Sequence, residues 1–178
     1  MEGTPTVVML AGLPGAGKTT LAIALAKRLA WVAIDKDTIK SALLESGVEE
    51  RLAGPASYDL MHSLAEDLVL RQGRSVILDS PGVYPRTLQR TRELALAAGG
   101  ELKVILLLAE RELRNQRALA RVATSSQPQL PHEQDEDDGR SRFLHLPPNR
   151  LELETHADIA QLVDKAFAYL GRGDDVRQ

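Results

Sequence analysis

The chain has 178 residues, of which 43% are apolar and 26% charged, the profile of a single folded domain spanning 1–178. It contains no cysteine, which excludes disulfides, thiolate metal sites and cysteine nucleophiles. The net charge of −3 excludes a protein that grips nucleic acid by bulk positive charge, though not a local basic site, and no apolar run nears the length of a membrane span.

The opening Met-Glu-Gly-Thr-Pro lacks the basic and apolar regions of a signal peptide, and the chain reads as cytoplasmic. Residues 6–11 are a short apolar run rich in strand formers. A glycine-rich loop over Gly12–Gly17 leads into a helix over Lys18–Ala30, whose cations Lys27 and Arg28 lie near the C-terminal end. Trp31–Ile34 is predicted as the second strand, Asp35–Ser46 as a helix closed by Gly47, and residues 55–72 as a longer amphipathic helix. Ser75–Leu78 is the third strand and ends at Asp79. The loop Ser80–Pro85 holds Pro81, Gly82 and Pro85, and Arg86–Ala98 is a helix stopped by Gly99-Gly100. Leu102–Leu108 is nearly all apolar, as strands covered on both faces are. A charged helix over Glu110–Val122 precedes an irregular segment, 123–149, with four prolines and the acidic block Asp135–Asp138, read as a solvated mobile loop. Leu151–Glu154 and Ala157–Leu170 are the last strand and helix, and the tail from Gly171 is expected to fray.

Strands alternating with helices predict an α/β fold with a mainly parallel sheet, whose ligands bind beyond the carboxyl ends of the strands. The chemically distinctive residues follow strands one to four. Gly12-Leu13-Pro14-Gly15-Ala16-Gly17-Lys18-Thr19 fits G-x-x-x-x-G-K-[ST] without a mismatch, between a strand and a helix. Glycines permit close backbone approach to phosphate, and successive N–H groups and the helix N-terminus favour anions. Lys18 supplies a compact charge for β- and γ-phosphates, and the Thr19 hydroxyl can ligate Mg²⁺. The expected phosphate-binding set is Gly12, Gly15, Ala16, Gly17, Lys18, Thr19 and Thr20, with ATP and Mg²⁺ as cofactors.

After strand two, Asp35-Lys36-Asp37-Thr38-Ile39-Lys40 places carboxylates at the sheet's edge. A kinase needs a carboxylate to take or orient the acceptor's proton. Asp37 is favoured for this, with a helix N-cap as its alternative or coexisting role; Asp35 and Lys40 are candidate substrate contacts. Asp79, closing strand three, can hold Mg²⁺ directly or through water. On the charged helix, Arg114, Arg117 and Arg121 fall within about 60° of one another, a stripe that suits a lid neutralising transition-state charge. Arg117 and Arg121 are preferred, and the lid with its mobile region is expected over about 110–149. Arg86 and Arg90, after the strand-three loop, read as surface helix residues, with contact to an acceptor as the alternative. Tyr58, Asp59 and His62 lie on a helix of the kind that borders an acceptor pocket. The few aromatics form no platform for single-stranded nucleic acid.

Together, Gly12–Thr19, Asp37-x-x-Lys40, Asp79 and Arg117-x-x-x-Arg121 resemble the P-loop kinases related to polynucleotide 5′-kinase, with chloramphenicol phosphotransferase and the zeta-toxin kinases nearby. The resemblance runs from residue 6 to about 122. It implies a five-stranded parallel sheet of order 2-3-1-4-5 flanked by helices. It also implies Asp37 as general base, Lys18 and Thr19 as phosphate and Mg²⁺ ligands, and Arg117 and Arg121 as lid arginines. Polynucleotide kinases carry an arginine where Lys40 stands, and lysine lacks that bidentate fork. The expected reaction is transfer of the γ-phosphoryl group of ATP to a hydroxyl of a small molecule. A nucleic-acid 5′-end is the alternative acceptor, and a nucleotide switch without acceptor phosphorylation the alternative function. No heptad or linker points to a protein partner.

Overall fold

In the computed structural model, residues 4–120, 126, 140–156 and 158–171 are described. Five strands, β1 (Val7–Ala11), β2 (Val32–Asp35), β3 (Val76–Asp79), β4 (Lys103–Leu108) and β5 (Leu151–Glu154), form one sheet in the order β2-β3-β1-β4-β5. Every neighbouring pair is parallel, so the predicted order 2-3-1-4-5 is the observed one. Among the described residues the α-helices are α1 (Lys18–Leu29), α2 (Lys36–Glu45), α3 (Glu50–Glu66), α4 (Pro85–Ala97) and α5 (Arg111–Ala120) between the strands, and α6 (Ile159–Gly171) after β5.

Side chains alternate across a strand, and both faces here are covered. Val8, Leu10, Ile77, Ile105 and Leu107 pack with Leu21 and Leu25 of α1 and Leu162 and Ala166 of α6. On the opposite face, Val7, Val76 and Leu78 meet Met61 and Ala65 of α3 and Leu94 of α4, while Met9, Leu106 and Leu108 meet Leu88 and Phe143. Phe143 closes a 3₁₀ turn, Arg140–Phe143, inside the segment expected to be irregular. No helix among the described residues is long and apolar enough to cross a membrane.

One helix start and one helix cap differ from expectation. The helix predicted to begin at Pro55 begins at Glu50, with Pro55 inside it. Proline suits a first helical position, but burial decides here: Ala53, Ser57, Met61 and Ala65, four residues apart, form the buried stripe, and Ala53 belongs to it. The C-terminal part of the predicted helix is a π turn, Asp67–Arg71, which sets Val69 in the core. At α2 the N-cap is Asp35 and not Asp37: Asp35 Oδ1 accepts from the Asp37 N–H at 2.8 Å, and Oδ2 from the Thr38 hydroxyl at 2.8 Å. A cap bonds the second or third N–H of its helix, and the chain turns helical at Lys36, two residues earlier than a cap at Asp37 requires.

A buried histidine straps α3 to α4. His62 is 1% exposed; its Nδ1 lies 2.8 Å from the Tyr58 carbonyl and its Nε2 3.1 Å from Thr91 Oγ1. With Nδ1 donating to the Tyr58 carbonyl, a neutral ring leaves Nε2 as an acceptor beside the Thr91 hydroxyl, whose one proton is shared with the Thr87 carbonyl at 2.8 Å. Burial pushes the imidazole pKa below its ordinary 6.5, the Tyr58 carbonyl pulls it back, Arg90 pushes it down, and Glu66 and the Thr87 carbonyl pull it up. Below pH 6.5 the unfolded chain therefore binds a proton that the native ring resists. The strap should cost stability as the pH falls from 6.5 toward the lowered native value, by at most about 1.4 kcal/mol per pH unit. Melting the protein and His62→Gln between pH 7.5 and 5.5 tests this, with a shallower acid slope expected for the variant. Asp79, whose pKa is raised by burial, works in the opposite sense in both proteins.

Candidate active site

Beyond β1 the loop Gly12–Gly17 turns through positive φ at Gly12, Gly15 and Gly17 (147°, 80° and 92°) and delivers Lys18 as the first residue of α1. A Cβ at Gly12 would stand 2.5 Å from the Leu107 carbonyl oxygen, and one at Gly15 2.7 Å from the Arg114 carbonyl oxygen and 3.0 Å from Arg114 Cα. α5 thus lies directly on the loop, and no larger residue fits between them. Lys18 Nζ donates to the Gly12 and Leu13 carbonyls at 2.9 and 3.2 Å. Thr19, exposed at the mouth of the site, donates its hydroxyl to Asp79 Oδ2 at 2.5 Å, and Thr20 is exposed beside it.

Strand register assembles the carboxylates. Asp35 pairs with Asp79 across β2 and β3, and Leu10 pairs with Asp79 across β1 and β3, so three strand ends share one edge. Burial pushes the Lys18 pKa down, while Asp79, Asp37 and Asp35 pull it back up and Lys36 pushes it down. Burial also holds the Asp79 carboxyl above the usual carboxylate range, against the pull of Lys18 and the Thr19 hydroxyl and with a further push from Asp35 and Asp37. Among the described residues no group of three or more His, Cys, Asp or Glu could cage a metal ion. One hydroxyl and one carboxylate in contact, both hard oxygen donors beside a phosphate nest, fit Mg²⁺, which keeps several waters and takes its other ligands from phosphate.

Asp37 sits on the first turn of α2, its Oδ1 2.5 Å from Lys36 Nζ. Lys36 is 9% exposed, a buried cation that sequence inspection passed over. Its position between two aspartates at a strand end was the available signal. Lys40 Nζ bonds Glu50 Oε1 at 2.6 Å, so this candidate substrate contact is held against α3. Ser126 donates its hydroxyl to the Asp37 carbonyl at 2.9 Å and lies 2.8 Å from Ser41 Oγ, bringing a residue that follows α5 onto the start of α2.

The arginine stripe divides. Arg114 is 1% exposed and donates from Nε to the Ala109 carbonyl at 3.1 Å, so it is part of the packing and not of a solvated face. Arg117 reaches the phosphate loop: Nη1 donates to the Gly15 carbonyl at 3.3 Å and to Thr155 Oγ1 at 2.9 Å, and Nη2 to the Thr155 carbonyl at 2.6 Å. Thr155, beyond β5, was not anticipated, because its partners Arg117 and Leu108 lie 38 and 47 positions away (155 − 117 and 155 − 108). Arg121 and the acidic block Asp135–Asp138 lie outside the described residues.

The family described as AAA domain matches residues 7–146. No curated protein matches the chain. Among solved structures, a proposed kinase from Chloroflexus aurantiacus is 22% identical with a TM-score of 0.72, covering 94% of this chain and 99% of its own. The APS kinase of Mycobacterium tuberculosis, solved with AMPPNP and APS, is 16% identical with a TM-score of 0.66, covering 94% and 98%. A gluconokinase from Sinorhizobium meliloti 1021 is 15% identical with a TM-score of 0.61, covering 95% and 93%. At these identities the likeness is one of fold.

Proposed function

This chain belongs to the AAA domain family, and on that premise we propose that it is an ATP- and Mg²⁺-dependent kinase acting on a hydroxyl of a small molecule. The observation that carries the reading is the convergence of Lys18, Thr19, Asp79 and Asp37, drawn from three strand ends, at one edge of the sheet. A nucleotide-binding loop alone serves switches and ATPases equally well; a carboxylate on the first turn of α2, within the field of Lys18, is what a phosphoryl acceptor requires. The kinases that share the fold support a small-molecule acceptor, as does the engagement of Lys40 by Glu50, which withdraws a cation that a nucleic-acid phosphate would need. Kinship with the polynucleotide 5′-kinase, chloramphenicol phosphotransferase and zeta-toxin group belongs to the same proposal.

In this reading the backbone of Gly12–Thr19 cradles the phosphates of ATP, and Lys18 turns from the Gly12 and Leu13 carbonyls to the β- and γ-oxygens. Mg²⁺ held by Thr19 and Asp79 would supply charge neutralisation between those phosphates. The acceptor oxygen attacks the γ-phosphorus, the bond to the β–γ bridging oxygen breaks, and ADP departs with its electron pair. Asp37 orients the acceptor hydroxyl and takes its proton. Arg117 and Arg121 offset charge on the transferring group. The test is transfer from γ-labelled ATP with Mg²⁺ to a panel of sugars, nucleosides, hydroxylated antibiotics and 5′-hydroxyl oligonucleotides. Labelling of one small-molecule class is expected. Labelling of oligonucleotides alone would reassign the acceptor, and nucleotide binding without any transfer would replace the kinase with a switch.

A further inference from the structure

Beside Asp37 the structure carries an aromatic corner with no role in the phosphate chemistry. Lys36, whose ammonium holds Asp37, also lies over the Tyr58 ring of α3, 5.3 Å from its centroid. The Tyr58 ring meets that of Tyr84 edge to face, with centroids 5.7 Å apart and an interplanar angle of 89°. Burial raises the Tyr58 hydroxyl pKa, and Tyr84 and the Asp37 carboxylate push it further, so Asp37, Lys36, Tyr58 and Tyr84 form one continuous path. Tyr84 remains 55% exposed at the end of it.

That exposure occurs on a loop with little freedom to bury the ring. The Gly12 N–H donates to the Pro81 carbonyl at 3.0 Å, and His145 Nε2 lies 3.0 Å from the Gly82 carbonyl. Gly82 has a φ of +72°, and a Cβ there would stand 2.4 Å from Ala11 Cβ, so only glycine fits. The Tyr84 carbonyl accepts from the N–H groups of Thr87 and Leu88 in the first turn of α4. Ser80, between Asp79 and this loop, has a buried hydroxyl with no hydrogen-bond partner among the described residues, a group that a bound alcohol would satisfy. Cations around the corner are engaged: Lys36 with Asp37, Lys40 with Glu50, and Arg90 with Asp59 and Glu66. Among the described residues, Arg86, exposed on α4 two positions after Tyr84, is a cation that could compete for an anionic acceptor.

We propose that Tyr84, backed by Tyr58, is the acceptor platform, and that the acceptor is an uncharged ring-bearing alcohol, a sugar or nucleoside, whose ring stacks on Tyr84 while its hydroxyl faces Asp37. The proposal rests on the kinase reading for the role of Asp37 but not for the stacking itself. Its test is therefore binding: saturation-transfer NMR on the full chain with AMPPNP and Mg²⁺. The ring-bearing probes are methyl glucoside, inositol and adenosine, and the ring-free ones glycerol and gluconate. Ring-bearing probes should receive saturation, Tyr84→Ala should weaken their binding about three- to tenfold, and Tyr84→Phe should restore it. Equal response from ring-free probes, or a larger loss in Arg86→Ala than in Tyr84→Ala, overturns the platform. Tyr84-dependent binding without transfer keeps the platform and removes the kinase reading; transfer to gluconate that is indifferent to Tyr84→Ala does the reverse.

Discussion

Replacing Lys18 with methionine should lower phosphoryl transfer by about 10²–10³-fold and leave the protein at least as stable as the parent. Methionine keeps the length of the stem and removes only the charge. Turnover falls because the ammonium's contribution grows as charge develops on the transferring oxygens, whereas the backbone N–H groups of the loop continue to hold ground-state phosphate. Nucleotide affinity should accordingly fall less than turnover. Stability moves the other way for an electrostatic reason. Burial lowers the lysine's pKa despite the pull of Asp79, Asp37 and Asp35, so the charged form is net disfavoured in the native state. Loss of Lys18 also removes a charge that holds the Asp79 carboxyl down, so Asp79 becomes more readily protonated in the variant. Initial rates with labelled ATP, paired with thermal melts, read both effects. Turnover within tenfold of the parent would remove Lys18 from the chemistry.

The features legible in the sequence are those whose geometry is local. The phosphate loop is one, since a fixed spacing of glycines, lysine and threonine between a strand and a helix determines both backbone path and charge. Another is the buried sheet, where Val104–Leu108 shows no alternation because Ile105 and Leu107 face α1 and α6 while Leu106 and Leu108 face the other layer. Local rules misled where burial overrode them: Pro55 resembled a helix start, but Ala53 was already needed in the apolar stripe of α3. At Asp35-Lys36-Asp37 two carboxylates two residues apart compete for capping, and the choice falls to the backbone, which turns helical at Lys36. Contacts between distant segments left no trace in the spacing. Arg117 finds Thr155 and Gly15 only because α5 meets the ends of β1 and β5, and Tyr58 finds Tyr84 only because α3 packs beside the start of α4.

Asp37→Asn should reduce transfer about 10²–10⁴-fold, and a companion variant can tell whether the loss is chemical or structural. Asparagine preserves the shape of the side chain and can still accept a hydrogen bond, but it cannot take the acceptor's proton. The helix start should survive, because Asp35 caps α2 through the Asp37 N–H, a backbone group that the substitution retains. One structural cost is foreseeable: Lys36 loses the carboxylate it touches, and its side chain is only 11% exposed. Leaving a largely buried ammonium with a neutral partner should cost about 1–3 kcal/mol, visible as a lower melting temperature. Lys36→Gln breaks the same ion pair from the other side while keeping the carboxylate. If Asp37 is the base, Asp37→Asn is slow and Lys36→Gln retains most of the turnover, although both lose the pair. If the pair instead matters only for holding α2 in place, the two variants should be equally slow and equally destabilised. Near-parental turnover of Asp37→Asn on the labelled acceptor would move the proton's destination elsewhere, with Asp35, in register with Asp79 on the neighbouring strand, as the next carboxylate to replace.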